Sequence, residues 1–185
     1  MLEDLKKYSV VLASNSPRRK ELLSGLGVNF SVKTLPDVDE SFPDTLKGEE
    51  IPLFIARKKA DAYKVLFSSV NSNEVEEPLL VITADTIVWL EDEVLGKPAN
   101  ATEARVMLSK LSGKKHQVIT GVCLTTALWQ KSFAAVSEVQ FSSLTEEEMD
   151  YYIHNYCPYD KAGAYGVQEW IGFIGVESIQ GSYFN

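Results

Sequence analysis

The chain reads as an α/β protein, a mixed, twisted sheet with flanking helices. Two observations predict this. Short strand-like runs at Val10–Leu12, Val28–Leu35 and Leu79–Leu90 alternate with stretches whose apolar residues recur at helical spacing. Two long alternating runs, His116 to Leu128 and Phe133 to Leu144, flank a turn at Trp129–Ser132 and form a hairpin, which makes the sheet mixed. At 185 residues, 45% hydrophobic and 24% charged, the composition is that of an ordinary globular chain, and the length fits one domain spanning residues 1–185.

The first element pair is the most informative. Val10–Leu12 is a buried strand, Ser14 and Asn15 leave its end, and Ser16 with Pro17 opens a helix as N-cap and first residue. Leu22, Leu23 and Leu26 are its expected apolar face, and Gly27 stands where a left-handed stop belongs. A strand, a polar loop and a helix start point backbone N–H groups at an anion. Arg18 and Arg19 lie in the first turn, where the helix dipole disfavours cations. Either a polyanion supplies the missing negative charge, or the turn is simply solvated.

After the strand over Val28–Leu35, residues 36–40 form an acidic loop that in isolation reads as a solvated turn. Glu49, Glu50 and Pro52 open a second helix, with Leu53, Ala56, Ala60, Tyr63 and Phe67 at helical spacing. Lys59 falls at the border of that stripe, whereas Arg57, Lys58 and Lys64 read as solvent charges. Residues 68–78 lack periodicity and read as an exposed loop. Leu79–Ile82 is an unbroken apolar run, typical of a strand buried on both faces, and it delivers Thr83 to Thr86. Asp85 is the most unusual carboxylate of the chain, because an unpartnered aspartate in such surroundings is expensive and marks a structural or catalytic task.

Beyond the acidic turn Glu91–Glu93, Asn100 caps a third helix with Glu103 as its capping-box partner, and Ala104, Met107, Leu108 and Leu111 face inward. Thr145 and Glu148 make a second capping box, ahead of a face formed by Met149, Tyr152, Ile153 and Tyr156. Ile171 to Ile179 reads as a last strand. His116 has no cysteine or histidine at ligand spacing and reads as a strand-end hydrogen-bonding residue.

The formal net charge of -8 argues against a nucleic-acid partner, since such proteins show a basic surface. A protein this acidic that handles a polyphosphate must gather its few cations, and Arg18–Lys20 and Arg57–Lys59 are the two gatherings. Two cysteines, Cys123 and Cys157, make neither a disulfide framework nor a zinc spacing and suit a reducing compartment. The N-terminal residues lack the apolar region of a signal peptide, and no apolar run reaches membrane-spanning length, so the expected location is cytoplasmic, with no membrane partner. No Gly-x-x-x-x-Gly-Lys-Ser/Thr loop occurs, which argues against a P-loop enzyme.

Four separated stretches carry a family resemblance: Ala13–Leu23, Ala84–Val88 followed by Gly96–Pro98, Asp160–Gln168, and Gly181–Tyr183. In order and spacing they resemble the Maf-like nucleoside triphosphate pyrophosphatases, a family in the same superfamily as the inosine-triphosphate pyrophosphatases. The resemblance implies an elongated, two-lobed fold with a central cleft. It implies hydrolysis of a nucleoside triphosphate, a small-molecule substrate, to monophosphate and pyrophosphate with a divalent cation, Mg²⁺ or Mn²⁺. By position, Ser14, Ser16, Arg18, Arg19, Lys59 and Lys97 would bind phosphates, Asp85 would be the catalytic base or a metal ligand, and Glu40 a metal or water ligand. Arg18, Thr86 and Gln168 match the positions that mark the branch acting on dTTP and UTP, and the Gln168 amide suits a uracil or thymine edge. The other branch acts on 7-methyl-GTP, and a non-catalytic nucleotide-binding regulator of cell division is the alternative of a different class. A homodimer is compatible with either. Two departures stand out. Glu169 follows Gln168 where family members often carry glycine, and family members continue with an apolar helix beyond the position of Asn185.

Overall fold

The computed structural model describes residues 2–35, 38–64, 67 and 78–185. A seven-stranded mixed sheet carries strands in the order β2-β1-β3-β5-β6-β7, with β4 paired to β3. The strands are β1 (Ser9–Leu12), β2 (Ser31–Val32), β3 (Leu79–Leu90), β4 (Glu93–Leu95), β5 (Lys115–Thr125), β6 (Gln130–Phe141) and β7 (Val176–Gln180). The helices are α1 (Pro17–Gly25), α2 (Glu50–Ala62), α3 (Ala101–Leu111), α4 (Glu146–Tyr156) and α5 (Trp170–Gly175). The chain divides into two compact units, Met1–Asp85 with Gly121–Ala134, and Thr86–Thr120 with Ala135–Asn185. No helix among the described residues is long and apolar enough to cross a membrane.

In the first unit β1 runs parallel to both β2 and β3, with Leu12 opposite Ile82 and Val32. The expected strand over Val28–Leu35 shrinks to Ser31–Val32, because its partner β1 ends at Leu12 and the last ladder bond is Lys33 N–H to the Leu12 carbonyl. The chain beyond is held instead by Tyr63, whose hydroxyl accepts from Leu35 N–H and donates to the Lys33 carbonyl, both at 2.9 Å. Helix α2 buries Ile51, Pro52, Ile55, Ala56 and Ala60. Its approach to β5 depends on Gly121, where a Cβ would stand 2.4 Å from the Pro52 carbonyl carbon. Gly121→Ala is therefore expected to force α2 off the strand and destabilise the fold by about 1–3 kcal/mol or more, read as a lower midpoint in urea. The buried Thr83 hydroxyl is satisfied by donating to the Ala56 carbonyl at 2.7 Å.

Helix α1 differs from its expectation. None of its residues is buried, and Leu22 and Leu26 are exposed. The nine-residue helix presents Arg19, Lys20 and Leu23 as its half-buried side chains, so an arginine occupies the face where the leucine pattern suggested packing. Its stop is as expected, with Gly27 at φ 68° and its N–H on the Ser24 carbonyl. Most of the loop expected over 68–78, and Pro36 and Asp37 of the acidic loop, lie outside the described residues.

In the second unit β3 and β4 form a hairpin whose turn residues Glu91 and Asp92 both have positive φ, 49° and 66°, as a two-residue turn between twisted strands requires. The core packs Leu108 and Leu111 of α3, Phe141 of β6, and Met149, Tyr152 and Ile153 of α4. Each such side chain contributes about 1.5–3 kcal/mol on burial. Asn100 accepts from Glu103 N–H, but Glu103 reaches Ala99 N–H rather than the N-cap amide, so the box at α3 is shifted by one residue. The Thr145–Glu148 box at α4 is complete, and Cys157 ends that helix in the left-handed region. Tyr156 is partly exposed and stacks on Tyr152.

The final strand is corrected. Trp170–Gly175 is helical and only Val176–Gln180 is extended. Ile171 and Gly175, four residues apart, both face inward, a helical period in place of alternation. Gly172 lies so close to the Val167 carbonyl that a side chain there has no room, which explains the glycine in an otherwise strand-like run.

His116 is buried among Phe141 and Tyr165, with Nε2 2.6 Å from the Tyr165 hydroxyl, and burial lowers its pKa to about 4. Between about pH 4 and 6.5 the unfolded chain binds the proton that the folded one refuses. The stability it represents is complete above 6.5 and is lost as pH falls towards 4. The loss amounts to about 3 kcal/mol. His116→Phe is expected to flatten this part of the stability–pH curve, measured as the urea midpoint at pH 7.5 and 4.5.

Candidate active site

In the first unit, the carboxyl end of β1 at Leu12 lies beside Ile82, so the loop that leaves β1 runs next to the middle of β3. Ala13 N–H reaches the Ile82 carbonyl at 2.9 Å, which ties the loop after β1 to the part of β3 leading to Asp85. Ser14 is buried, and its Oγ accepts from Ser16 N–H at 3.2 Å and from Arg19 Nη1 at 3.4 Å. Arg19 Nη1 also donates to the Ala84 carbonyl at 2.8 Å. The guanidinium is thus fixed between the loop after β1 and the middle of β3. Burial lowers its pKa, opposed by the nearby Asp85 charge. The Ser16 side chain makes no capping bond, and Arg18 is exposed beside it.

Asp85 is set in the buried part of β3, with a side chain only 14% exposed. Lys59 reaches it from α2, Nζ to Oδ1 at 2.8 Å, and the same ammonium lies 2.8 Å from Glu40 Oε1. Burial raises the Asp85 pKa, the Lys59 ammonium opposes that shift, and Glu40 adds to it. Two carboxylates and two cations thus converge at the middle of β3, beside the end of β1. Lys59 is no surface cation, since its side chain is 15% exposed.

One contributor was not legible in the sequence. Lys58, read there as a solvent charge, donates to Asp39 Oδ2 at 2.6 Å and to the Ser41 carbonyl at 3.1 Å. Asp39 in turn accepts from Ser41 N–H and Oγ, and these bonds with Lys58 hold its pKa far below the usual carboxylate range. The cluster shapes the loop that carries Glu40. Neighbouring lysines on one helix give no local sign that one serves a loop and the next a buried carboxylate.

The remaining candidates belong to the second unit. Thr86 is half-buried on β3, with Oγ1 2.9 Å from Thr120 Oγ1. Lys97 is exposed in the loop after β4. Gln168 is exposed in the turn between Gly166 and Glu169, which Glu169 N–H closes onto the Gly166 carbonyl at 3.0 Å.

The donor set fits a small, hard dication. Mg²⁺ binds through one or two carboxylates, with water and substrate phosphate completing its shell, and Glu40 and Asp85 already share a cation. No group of three or more His, Cys, Asp or Glu residues suited to a metal occurs among the described residues, so that pair would be the protein's contribution.

Comparison with known proteins places nearly the whole chain in one family. The family model described as Maf-like protein matches residues 9–185. A Bacteroides fragilis protein named dTTP/UTP pyrophosphatase is 65% identical over 185 residues, covering 100% of this chain and 92% of that protein. Proteins of the same name from Porphyromonas gingivalis and Flavobacterium johnsoniae are 48% and 44% identical, covering 100% and 99% of this chain and 90% of each relative. The chain belongs to the Maf-like protein family.

Proposed function

We propose that the chain hydrolyses dTTP and UTP to the nucleoside monophosphate and pyrophosphate. Full-length similarity to relatives of that name supports the substrate class. The observation that carries the chemistry is the Lys59–Asp85 pair at the middle of β3, with Arg19 and Glu40 beside it. Hydrolysis of a triphosphate requires cancellation of charge and one aimed water.

Arg18, Arg19, Lys59 and Lys97 supply the positive charge in this reading, with the hydroxyls of Ser14 and Ser16 and the amides at the start of α1. Asp85 takes the proton as the water oxygen bonds to the α-phosphorus, and the bridging oxygen leaves with pyrophosphate. A phosphate that competes for Lys59 withdraws the ammonium that opposes the raised pKa of Asp85. An Asp85 oxygen freed from Lys59 in this way is available to accept the water's proton. Glu40 and Asp85 would hold the Mg²⁺ ion, which when bound neutralises phosphate oxygens and lowers the pKa of water. Thr86 and Gln168 contact the nucleoside, and Gln168 reads the pyrimidine edge. The protein works in the cytoplasm on a free nucleotide.

The test is product analysis with dTTP or UTP and Mg²⁺. Pyrophosphate is expected to appear in step with the monophosphate. Orthophosphate as the first product would overturn the assignment, and binding without turnover would restore the regulator alternative.

A further inference from the structure

The turn that carries Gln168 is clamped from both ends by one hydroxyl. Tyr152 is buried in α4, and its OH accepts from Gly166 N–H at 3.1 Å while donating to the Glu169 carboxylate. The other oxygen of that carboxylate lies 3.0 Å from Lys161 Nζ, whose side chain is 11% exposed and which also meets Asp160 at 2.8 Å. Gly166 makes room for the pair, since a Cβ there would stand 3.2 Å from both Glu169 Cδ and Lys161 Cε. Gln168 sits between the two clamped residues, with its own side chain exposed. The backbone hydrogen bond from Glu169 to Gly166 closes the same four residues.

We infer that Glu169, locked by Tyr152 and Lys161, is a positioning residue that fixes the Gln168 turn and so sets selectivity for the pyrimidine base. This rests on the reading of Gln168 as the base-contacting residue. An amide discriminates between base edges only when its orientation is set before the nucleotide arrives, because a turn free to reorient can satisfy the wrong edge as well. A charge-assisted lock with one member nearly enclosed is suited to that task.

The experiment is a double-mutant cycle on the ratio of kcat/KM for dTTP over GTP, with melting temperature recorded for every variant. Glu169→Ala is expected to lower the ratio about tenfold or more, chiefly through KM for dTTP, while kcat stays within about threefold. Tyr152→Phe should shift the ratio in the same direction. Glu169→Gln, which keeps an acceptor for the tyrosine, should retain part of the selectivity. In a Gln168→Leu background, Glu169→Ala should change the ratio less than about twofold, because the residue it positions is gone. Equal losses in both backgrounds, or a lower melting temperature with an unchanged ratio, would overturn the inference while leaving the pyrophosphatase reading intact. A parent protein that hydrolyses dTTP and GTP equally well would overturn the base-reading role of Gln168 and this inference with it.

Discussion

Asp85→Asn should lower kcat by roughly 10²–10⁴, the range typical of a lost general base. That corresponds to about 3–5 kcal/mol of barrier. Asparagine has nearly the same size and keeps an acceptor for Lys59, so β3 and its packing should survive. It cannot take the water's proton, and it is a poor ligand for Mg²⁺. Affinity for the triphosphate should hold or improve, since a negative charge facing a polyanion is gone and Lys59 is left freer to meet phosphate. Single-turnover rates together with equilibrium binding separate these effects. If Asp85 acts chiefly as a metal ligand, activity should recover partly at high Mg²⁺ and binding should become metal-limited. Turnover at the parent rate would remove Asp85 from the chemistry and make Glu40 the carboxylate to test.

Lys59→Ala should affect both function and folding, in a pattern that exposes the pair. Removing the ammonium leaves Asp85 in a buried site and Glu40 beside it, without the cation they share. Breaking a buried ion pair from one side costs about 3–5 kcal/mol, and the lower end is expected because Asp85 can take up a proton. For a chain of this size that is a fall in Tm of about 6–12 °C. The sign of the pH dependence follows from the direction of the Asp85 shift. Its folded pKa is raised above the ordinary 3.8, so the native state binds more protons than the unfolded one from there upward. The stabilisation is complete below that value and is lost as pH rises through the shifted pKa. Without Lys59 the shift grows, so the variant's deficit should be largest at neutral pH and should narrow towards pH 5. The double variant Lys59→Ala with Asp85→Asn should regain most of the lost stability and none of the activity. A deficit that is flat with pH, or one that persists in the double variant, would mean that Lys59 stabilises through packing of its stem rather than through the charge pair.

Much of this protein can be read from local sequence. The Leu79–Leu90 strand, the Pro17 helix start with its Gly27 stop, and the Thr145–Glu148 capping box are short-range features, decided by backbone dihedrals and hydrogen bonds within a few residues. Asp85 was conspicuous because a carboxylate inside an apolar strand contradicts its surroundings. The motifs around Arg18, Asp85 and Gln168 point to the family by their order along the chain. What the sequence could not decide depends on partners far away along it. Lys58 and Lys59 are neighbours of one type, yet helix phase and the position of the acidic loop send one to Asp39 and the other to Asp85. The leucines of α1 suggest a core face, but Arg19 is the side chain that reaches back to the sheet, because the Ala84 carbonyl in the middle of β3 and the Ser14 hydroxyl after β1 lie there to receive it. Trp170–Gly175 reads as strand by composition and folds as helix, with Ile171 and Gly175 turned inward on one face and Gly172 close against the Val167 carbonyl. The lock on Gln168 joins Tyr152 to residues 166 and 169 through contacts that no local pattern encodes. Backbone preferences act over a few residues and can be read along the chain, whereas the pairing of a buried charge or hydroxyl is decided only when packing brings distant segments together.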